Sequence, residues 1–456
     1  MDPGSSAATD SGIDSLCPEC LKLDLKRAFH LGIVQEHIRD LPVFKPGSSC
    51  PLCRALQWMV DETLRRPKAS QYGYDKAHIE SWSGPISKTL RSIAVRLVKG
   101  SQYEEHMHLK SSHVLIRMAP PLLSTFSRGM DFDPKIALRW LSACDMYHGC
   151  VDRTVHTSLD FDFRVVDVDE YRVLNPPKGS TYAALSYVWG SIQQPVLTNN
   201  NAELFSTKRG LPENLPRTIQ DAMTICRLLS LRYLWVDSLC IVQDSISHGN
   251  DQIAHMHDIY RNAYITLVIA SGPDSAAGIP SLQPWSQIRN AFPFEDMWIG
   301  TSLRHISYLS GLVTNSVWNS RGWTMQEYTL SCRTLTFTST EYFLRCGRNT
   351  FIETATDLHP QDAQEGNWVD IPRFYGGELF LSEFVSALDK YLERKLSYPS
   401  DILRAFQGMS NALVPYTGKM WWGLPLAKHN LSLCWTRYGA MTRRDGFPSW
   451  SWAGWE

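Results

Sequence analysis

The sequence lacks any long hydrophobic run. Its 456 residues contain only short apolar stretches, such as 264–270, whereas a membrane-spanning helix needs about 20 consecutive apolar residues. The N-terminal residues MDPGSSAATDSGIDS also lack the basic and apolar regions of a secretory signal. We therefore expect a cytoplasmic protein with no membrane span.

An excess of charge of either sign is also missing. Lys and Arg total 45 and Asp and Glu total 46, which gives a net charge of −1. Proteins that bind nucleic-acid backbones carry a basic excess or a basic stripe, so we expect no nucleic-acid partner. No Gly-x-Gly-x-x-Gly motif follows an apolar run, which disfavours a conventional dinucleotide-dependent dehydrogenase.

The residues that are present are those of a folded chain. Hydrophobic residues make up 43% and charged residues 20%, which is too apolar for a disordered protein. The 16 tryptophans indicate aromatic-lined clefts as well as core positions. The 11 cysteines are odd in number and no export signal accompanies them, so paired cysteines are better explained as metal or redox sites than as disulfides.

The pattern along the chain predicts four segments. They are a disordered leader (1–15), an N-terminal cysteine-containing α+β region (16–170), an α/β domain (175–335) and a mixed, tryptophan-rich C-terminal region (336–456) that packs on the α/β domain. In the second segment a strand is predicted at Ser92–Val98, and in the fourth a long helical pattern covers about 379–413.

Three buried strands are predicted in the α/β segment, at 183–188, 234–237 and 264–270, because each is a short apolar run. Between these runs, apolar residues recur every three or four positions, as they do on one face of a helix. Strand and helix therefore alternate. Since crossovers between parallel strands are right-handed, this order predicts a doubly wound parallel sheet with helices on both faces.

Ligands bind at the carboxyl ends of the strands in such sheets. The residues expected there are Ser186, Trp189, Gly190, Asp237, Ser238, Ser271 and Gly272. A helix predicted to begin with Ser320 as its N-cap would add Arg321, Trp323 and Glu327. A carboxylate between indoles is suited to catalysis, whereas the alternative is that Arg321 and Glu327 form a surface ion pair and the tryptophans are core residues.

Five motifs of this segment stand in the order seen in fungal heterokaryon incompatibility (HET) domains: YAALSYVWG (182–190), LPRTIQDA (215–222), YLWVDSLCIVQ (233–243), MHDIY (256–260) and RGWTMQE (321–327). Segment 175–335 therefore resembles that family. The flanks are similar too, with WLSAC (140–144) and His148 upstream, and WGLP (422–425) and FPSWSWAGW (447–455) downstream.

The resemblance implies an effector of fungal self/non-self recognition that triggers programmed cell death. Its implied partners are other incompatibility proteins or further copies of the chain. HET domains are thought to be remote relatives of Toll/interleukin receptor (TIR) domains, which have a parallel, flavodoxin-like sheet. Some TIR domains cleave NAD through one glutamate near the start of a helix after the third strand. Glu327 matches that placement, although the insertion 273–316 departs from the compact TIR pattern.

The resemblance thus implies that NAD is a candidate substrate and Glu327 the catalytic residue of an NAD glycohydrolase. One carboxylate suffices to stabilise an oxocarbenium-like ribose, because nicotinamide leaves as a neutral base. Ser186, Trp189, Gly190, Asp237, Arg321 and Trp323 are the candidate nucleotide-binding residues, with Trp189 and Trp323 stacking on the rings and Arg321 binding the pyrophosphate. The alternative is a non-catalytic signalling module that acts by self-association or by recruiting partners.

A structural zinc site is predicted from two Cys-x-x-Cys pairs, Cys17 with Cys20 and Cys50 with Cys53, since four thiolates suit tetrahedral zinc. The alternative is that these thiols are buried packing residues. A rival ligand set is Cys144, His148 and Cys150. His255 and His257 are two positions apart on a predicted helix and should point to different sides, and Cys240 is a weak candidate for a nucleophile.

Overall fold

The computed structural model describes residues 17–22, 37–42, 49–50, 52–53, 76–82, 92–98, 115–119, 132–150, 161–282, 291–294, 297–302, 306–339, 341–352, 364–365, 380–425, 433, 435–436 and 441–456. The predicted leader, 1–15, lies outside these residues. The chain divides into two compact units: Met1–Asp131 with Pro284–Leu309, and Phe132–Gln283 with Ser310–Glu456.

Within the described residues there are fifteen strands: β1 (His37–Pro42), β2 (Lys76–Trp82), β3 (Ser92–Val98), β4 (Leu115–Ala119), β5 (Val165–Asp167), β6 (Arg172–Leu174), β7 (Tyr182–Ser186), β8 (Tyr233–Trp235), β9 (Ile265–Ile269), β10 (Ala291–Phe294), β11 (Met297–Ser302), β12 (Thr334–Phe337), β13 (Tyr342–Arg345), β14 (Asn349–Ile352) and β15 (Gln364–Glu365).

The same residues form eleven α-helices: α1 (Pro18–Leu21), α2 (Pro134–Ala143), α3 (Ala202–Ser206), α4 (Arg217–Leu228), α5 (Asp237–Cys240), α6 (Ile246–Ala254), α7 (Met256–Asn262), α8 (Ile306–Thr314), α9 (Gly322–Leu330), α10 (Phe380–Leu392) and α11 (Gln407–Thr417). No helix in this part of the chain has the length and apolarity needed to span a bilayer.

The first unit contains a six-stranded sheet in the order β1-β2-β3-β4-β11-β10, and all of its strand pairs are antiparallel. Strand β3 coincides with the strand predicted at Ser92–Val98, which confirms that prediction. Strands β10 and β11 come from the insertion at 273–316, and β11 pairs with β4. The insertion therefore supplies two strands to the sheet that the N-terminal region begins.

The second unit contains a nine-stranded sheet in the order β15-β14-β13-β12-β9-β7-β8-β5-β6. Its four central strands, β12, β9, β7 and β8, are parallel to one another, whereas every pair that includes one of the outer strands is antiparallel. The α/β class is confirmed, but the sheet is mixed and not purely parallel. The physical reason is connection length: only a few residues separate β5 from β6 and β12 from β13, and a parallel crossover needs a dozen or more.

The three predicted central strands are present in the parallel part of this sheet. They are β7, β8 and β9. Strands β7 and β8 are each one residue shorter than the predicted run, and β9 is two residues shorter. All five residues of β7 and of β9 are buried, because these strands are covered on both faces. Helix α4 connects β7 to β8 and buries Ile219, Ala222 and Cys226, whose spacing of three and four had predicted it.

Helix α9 begins later than predicted. Ser320 is not its N-cap, because the helix starts at Gly322 and Arg321 is the extended residue before it. The Ser320 hydroxyl donates to the Val317 carbonyl at 2.8 Å, and so it does not bond the first turn of the helix. The backbone of Lys395 makes hydrogen bonds to the residues on either side of Arg321 instead. The Lys395 carbonyl accepts from Gly322 N–H at 2.8 Å, and the Lys395 N–H donates to the Ser320 carbonyl at 2.6 Å.

Candidate functional site

Glu327 lies on α9 and is almost fully buried, with 7% of its surface exposed. The Ser186 hydroxyl, at the end of β7, donates a hydrogen bond to Glu327 Oε2. Ser186 Oγ in turn accepts from Trp318 Nε1 at 2.8 Å. The indole, the hydroxyl and the carboxylate therefore form a chain of hydrogen bonds that joins α9 to the central strand of the sheet.

Asp237 lies two residues after the end of β8 and is the first residue of α5. Its carboxylate accepts from Trp189 Nε1 at 2.8 Å and from the Ser238 backbone N–H at 2.7 Å. The Tyr187 hydroxyl donates to Ser238 Oγ at 3.0 Å. Because β7 and β8 are parallel neighbours, their carboxyl ends bring these polar groups to one edge of the sheet.

Burial raises the pKa of the Glu327 carboxyl to about 7. The hydrogen bond from Ser186 opposes this shift, whereas the negative charge of Asp237 adds to it. Burial also raises the pKa of Asp237, against the hydrogen bond from Trp189 and the positive charge of Arg321. Two carboxyl groups thus lie in each other's field, and Glu327 exchanges its proton near neutral pH.

Arg321 provides the positive charge of the site. Its guanidinium donates to the Tyr187 carbonyl at 2.8 Å, and its charge lowers the pKa of both Glu327 and Asp237. Within the described residues, no ion pair shorter than 4 Å includes Glu327, and Arg333 pairs with Asp145 at 2.7 Å. The alternative of a surface ion pair for Glu327 is therefore wrong.

Two residues of the site were not found from the sequence. Tyr260 of α7 donates to the Leu185 carbonyl at 3.3 Å, and its hydroxyl is near enough to Glu327 to lower the carboxyl pKa. Arg394 donates to the Arg321 carbonyl and to Thr324 Oγ1, each at 3.2 Å. Tyr260 closes the MHDIY motif, a usable signal, but nothing in the local sequence distinguishes Arg394.

Arg394 is itself half-buried. Burial lowers the pKa of its guanidinium to about 10, and the charge of Glu327 opposes that shift. A third hydrogen bond, from its Nη2 to Asn319 Oδ1 at 2.5 Å, completes its contacts with the turn before α9. Arg394 therefore anchors the beginning of the helix that carries Glu327.

Residues 182–327 match the family model described as heterokaryon incompatibility protein (HET). This chain contains a HET domain. The matched segment begins with β7 and ends at Glu327, so it includes both partners of the Ser186–Glu327 hydrogen bond.

One relative of the HET domain is heterokaryon incompatibility protein 6, OR allele, of Neurospora crassa. It is 30% identical to this chain over 106 residues, which is 22% of this chain and 15% of that protein. The alignment thus covers a small part of the length of the relative. No solved structure matches the chain.

The HET domain brings together five of the predicted site residues: Ser186, Trp189, Asp237, Arg321 and Glu327. Trp323 packs against the hydrophobic core. Gly190 has φ of +73°, and a Cβ at this position would lie 2.2 Å from Asp274 Cβ. Packing and backbone conformation both therefore require glycine at position 190.

The cysteines of the predicted zinc site lie in the first unit, outside the HET domain. The sulfur atoms of Cys17, Cys20, Cys50 and Cys53 all lie within 4.8 Å of one another. Cys53 Sγ is 3.6 Å from Cys17 Sγ and 3.4 Å from Cys20 Sγ. This convergence is compatible with a structural zinc ion, because four thiolates around one point suit tetrahedral coordination.

The structure also gives the surroundings of the weaker candidate residues from the sequence. His255 stacks on Phe161 at 4.4 Å, whereas His257 Nδ1 lies 3.2 Å from the Ala254 carbonyl, so the two rings have different partners. Cys240 is fully buried and burial raises the pKa of its thiol to about 12, which is unsuited to a nucleophile. The rival set gains a fourth member: Cys144, His148 and Cys150 lie with Cys346, all ligand atoms within 4.8 Å of one another.

Proposed function

We propose that this protein is an effector of fungal self/non-self recognition whose HET domain triggers cell death by cleaving NAD at the nicotinamide–ribose bond. Glu327 is the catalytic residue in this proposal. One observation carries it: a buried carboxyl with a pKa near 7 lies beside a second carboxylate at the carboxyl ends of parallel strands. The name of the Neurospora relative supports the biological part, a role in heterokaryon incompatibility.

The strand order supports a TIR-like, flavodoxin-like fold with helices on both faces. In chain order the parallel strands are β7, β8, β9 and β12. Across the sheet their order is β8-β7-β9-β12, so the second strand stands first and is followed by the first, third and fourth. Flavodoxin-like sheets begin with this order and bind their ligand at the switch point between the first and third strands. Ser186 ends the first of these strands, so its partner Glu327 lies close to that switch point.

The electrostatics suit a cationic reactant. The negative charge of Asp237 raises the proton affinity of Glu327, so the site favours the approach of a positive charge. NAD carries a positive pyridinium ring, and bond cleavage moves that charge onto the ribose in an oxocarbenium-like state. A preorganised carboxylate stabilises charge that develops at this position, and it does so more strongly in a buried site than in water.

In the proposed step the bond between ribose C1′ and the nicotinamide nitrogen breaks, and its electron pair stays on the nitrogen. Water adds to C1′ and loses a proton, so the products are nicotinamide and ADP-ribose. Glu327 stabilises the cationic ribose, Arg321 binds the pyrophosphate and Trp189 stacks on a ring. Ser186, Gly190, Asp237 and Trp323 complete the proposed nucleotide site.

A second candidate function is a non-catalytic signalling module that acts by self-association or by binding other incompatibility proteins. The observation that favours it is the closed network around Glu327, which is 7% exposed and bonded to Ser186, itself bonded to Trp318. In this alternative the carboxylate only holds α9 on the sheet. Cell death would then not depend on the charge of Glu327.

The test uses the full chain, purified and mixed with NAD, both free and clustered through a fused dimerisation tag. Three proteins are compared: the parent, Glu327→Gln and the exposed control Glu203→Gln. We expect nicotinamide release by the parent and the control and at least a hundredfold less by Glu327→Gln. If the clustered parent releases no nicotinamide, the enzymatic proposal is overturned, and killing by Glu327→Gln in a fungal host would then support the signalling module.

A further inference from the structure

The cluster of Cys144, His148, Cys150 and Cys346 lies in the second unit and has no part in the proposed NAD site. Three of its members come from one short segment, and Cys346 follows β13, almost two hundred positions later in the chain. His148 Nδ1 lies 3.2 Å from Cys346 Sγ, and the four ligand atoms all lie within 4.8 Å of one another. A tetrahedral zinc ion with bonds of about 2.3 Å holds its sulfur ligands about 3.8 Å apart.

The local backbone is shaped to present the first three side chains together. Helix α2 continues into a π-helical turn, Cys144–His148, and ends at Gly149, whose φ is +55°. The Gly149 N–H donates to the Cys144 carbonyl at 3.1 Å and closes this wide turn. Single π turns occur often at functional sites, and this one brings Cys144, His148 and Cys150 to the same end of the helix.

The fourth side chain comes from the tight turn between β13 and β14. Cys346 N–H donates to the Asn349 carbonyl at 2.9 Å, and Asn349 N–H donates back to Cys346 Sγ at 3.3 Å. A backbone N–H aimed at a cysteine sulfur stabilises its thiolate form, which is the form that binds metal. A Cβ on Gly347 would lie 3.1 Å from Cys150 Sγ, so glycine gives this sulfur room.

Asn349 also orients the histidine. Its side-chain Nδ2 lies 3.3 Å from His148 Nε2, whereas the other ring nitrogen, Nδ1, lies beside Cys346 Sγ. The amide can present its oxygen there, because its oxygen and nitrogen are exchangeable by a flip. It then accepts the Nε2 proton and leaves Nδ1 as the ligand atom, the arrangement in which a second residue fixes the tautomer of a metal-bound histidine.

We propose that Cys144, His148, Cys150 and Cys346 bind one structural zinc ion. Three thiolates and one imidazole are a usual donor set of structural zinc sites, and four protein ligands leave no open position for substrate. Cys144 and Cys346 are 0% and 1% exposed, which suits a closed site. The ion ties the end of α2 to the β13–β14 turn at the antiparallel side of the sheet.

The packing around the cluster explains what the ion would stabilise. Phe132 and Tyr342 meet edge to face at 5.2 Å, and Trp140 stacks with Phe351 at 6.4 Å. These contacts dock α2 on β13 and β14, but the segment joining them is very long, so closing it costs considerable chain entropy. Because a structural metal site forms only in the folded chain, metal binding adds directly to folding stability.

The test measures zinc binding by the cluster around Cys346 separately from zinc binding by the cysteines of the first unit. In the full chain, Cys17→Ser and Cys20→Ser together remove two ligands of the first set, and we expect this background to retain one zinc per chain by elemental analysis. X-ray absorption of its zinc should fit three sulfur and one nitrogen ligands. Adding Cys346→Ser should abolish the zinc and lower the melting temperature, whereas Cys332→Ser, outside both clusters, should leave zinc and melting temperature unchanged.

Three outcomes would overturn the proposal: a background protein without zinc, zinc fully retained after Cys346→Ser, or a disulfide found among the three cysteines by mass spectrometry. The background protein is measured in its own right, so the result does not depend on whether the Cys346 variant folds. Cobalt replacement gives an independent readout, since a tetrahedral cobalt–thiolate site absorbs visible light and the signal should disappear in the same variant.

Discussion

Ser186 and Glu327 are 141 positions apart in the chain, and their side chains share a hydrogen bond in the interior of the HET domain. The bond connects the end of a central parallel strand to the helix α9. It also stabilises the charged form of a carboxyl group that burial otherwise favours in its neutral form. The protonation state of Glu327 is therefore balanced near neutral pH, which gives the site both its proposed reactivity and a measurable effect on stability.

Ser186→Ala should raise the pKa of Glu327 further. The variant removes a donor that lowers the pKa of Glu327 and leaves Trp318 Nε1 without its acceptor. We expect the pH profile of NAD cleavage to move to higher pH and the free energy of unfolding to fall by about 1–3 kcal/mol, the cost of an unsatisfied buried polar group. Urea titration and nicotinamide release measure the two effects. Ser206→Ala, at an exposed position, should change neither.

Stability should depend on pH through Glu327. The folded pKa is about 7 and the ordinary value is 4.5, so the folded state binds this proton more tightly. The stabilisation is complete below pH 4.5 and is lost as pH rises through 7, a total of about 3 kcal/mol. Glu327→Gln removes this term. Urea titrations give the free energy of unfolding of the variant minus that of the parent, and this difference should be more favourable to the variant at pH 8 than at pH 5.5. The same difference at both pH values would contradict the assignment.

Arg394→Met should destabilise the site from outside the matched family segment. It deletes three donor contacts, to the Arg321 carbonyl, Thr324 Oγ1 and Asn319 Oδ1, and leaves these part-buried acceptors without that donor. We expect the free energy of unfolding to fall by about 2–4 kcal/mol and NAD cleavage to decline with it. Arg404→Met removes an arginine from a half-exposed pair with Asp401 and from a hydrogen bond to Asn250 Oδ1, and it should cost about 1 kcal/mol, less than the Arg394 variant.

Gly190→Ala separates packing from backbone strain. Both Gly190 and the control Gly446 have positive φ, +73° and +83°, so alanine is strained at each. Only at Gly190 would the new Cβ collide, at 2.2 Å from Asp274 Cβ, whereas nothing lies within 4 Å at Gly446. We expect Gly190→Ala to lower the melting temperature by several degrees more than Gly446→Ala, by about the cost of overpacking, 1–3 kcal/mol. If the two variants lowered the melting temperature equally, the loop carrying Asp274 would be moving aside for the new methyl group, and the prediction would be wrong.

Much of the second unit could be predicted from the sequence because its signals are local. Short apolar runs predicted the positions of β7, β8 and β9, since a strand covered on both faces must be apolar along its length. Motif order indicated the HET domain and selected Glu327, and the Cys-x-x-Cys spacing indicated a cluster whose sulfur atoms do converge. In each case the relevant residues are neighbours in the chain or belong to one motif.

The tertiary structure decided what depends on distant segments meeting. The start of α9 is at Gly322 and not at Ser320 because the backbone of Lys395 binds there, and no local propensity encodes that contact. Arg394 reaches the site and Cys346 completes a second ligand set for the same reason. The sequence by itself determined which segments are strands, helices and candidate ligands, because those depend on side chains a few positions apart. Only folding determined which of them share a site, because burial, charge and hydrogen bonding act between atoms that are close in space.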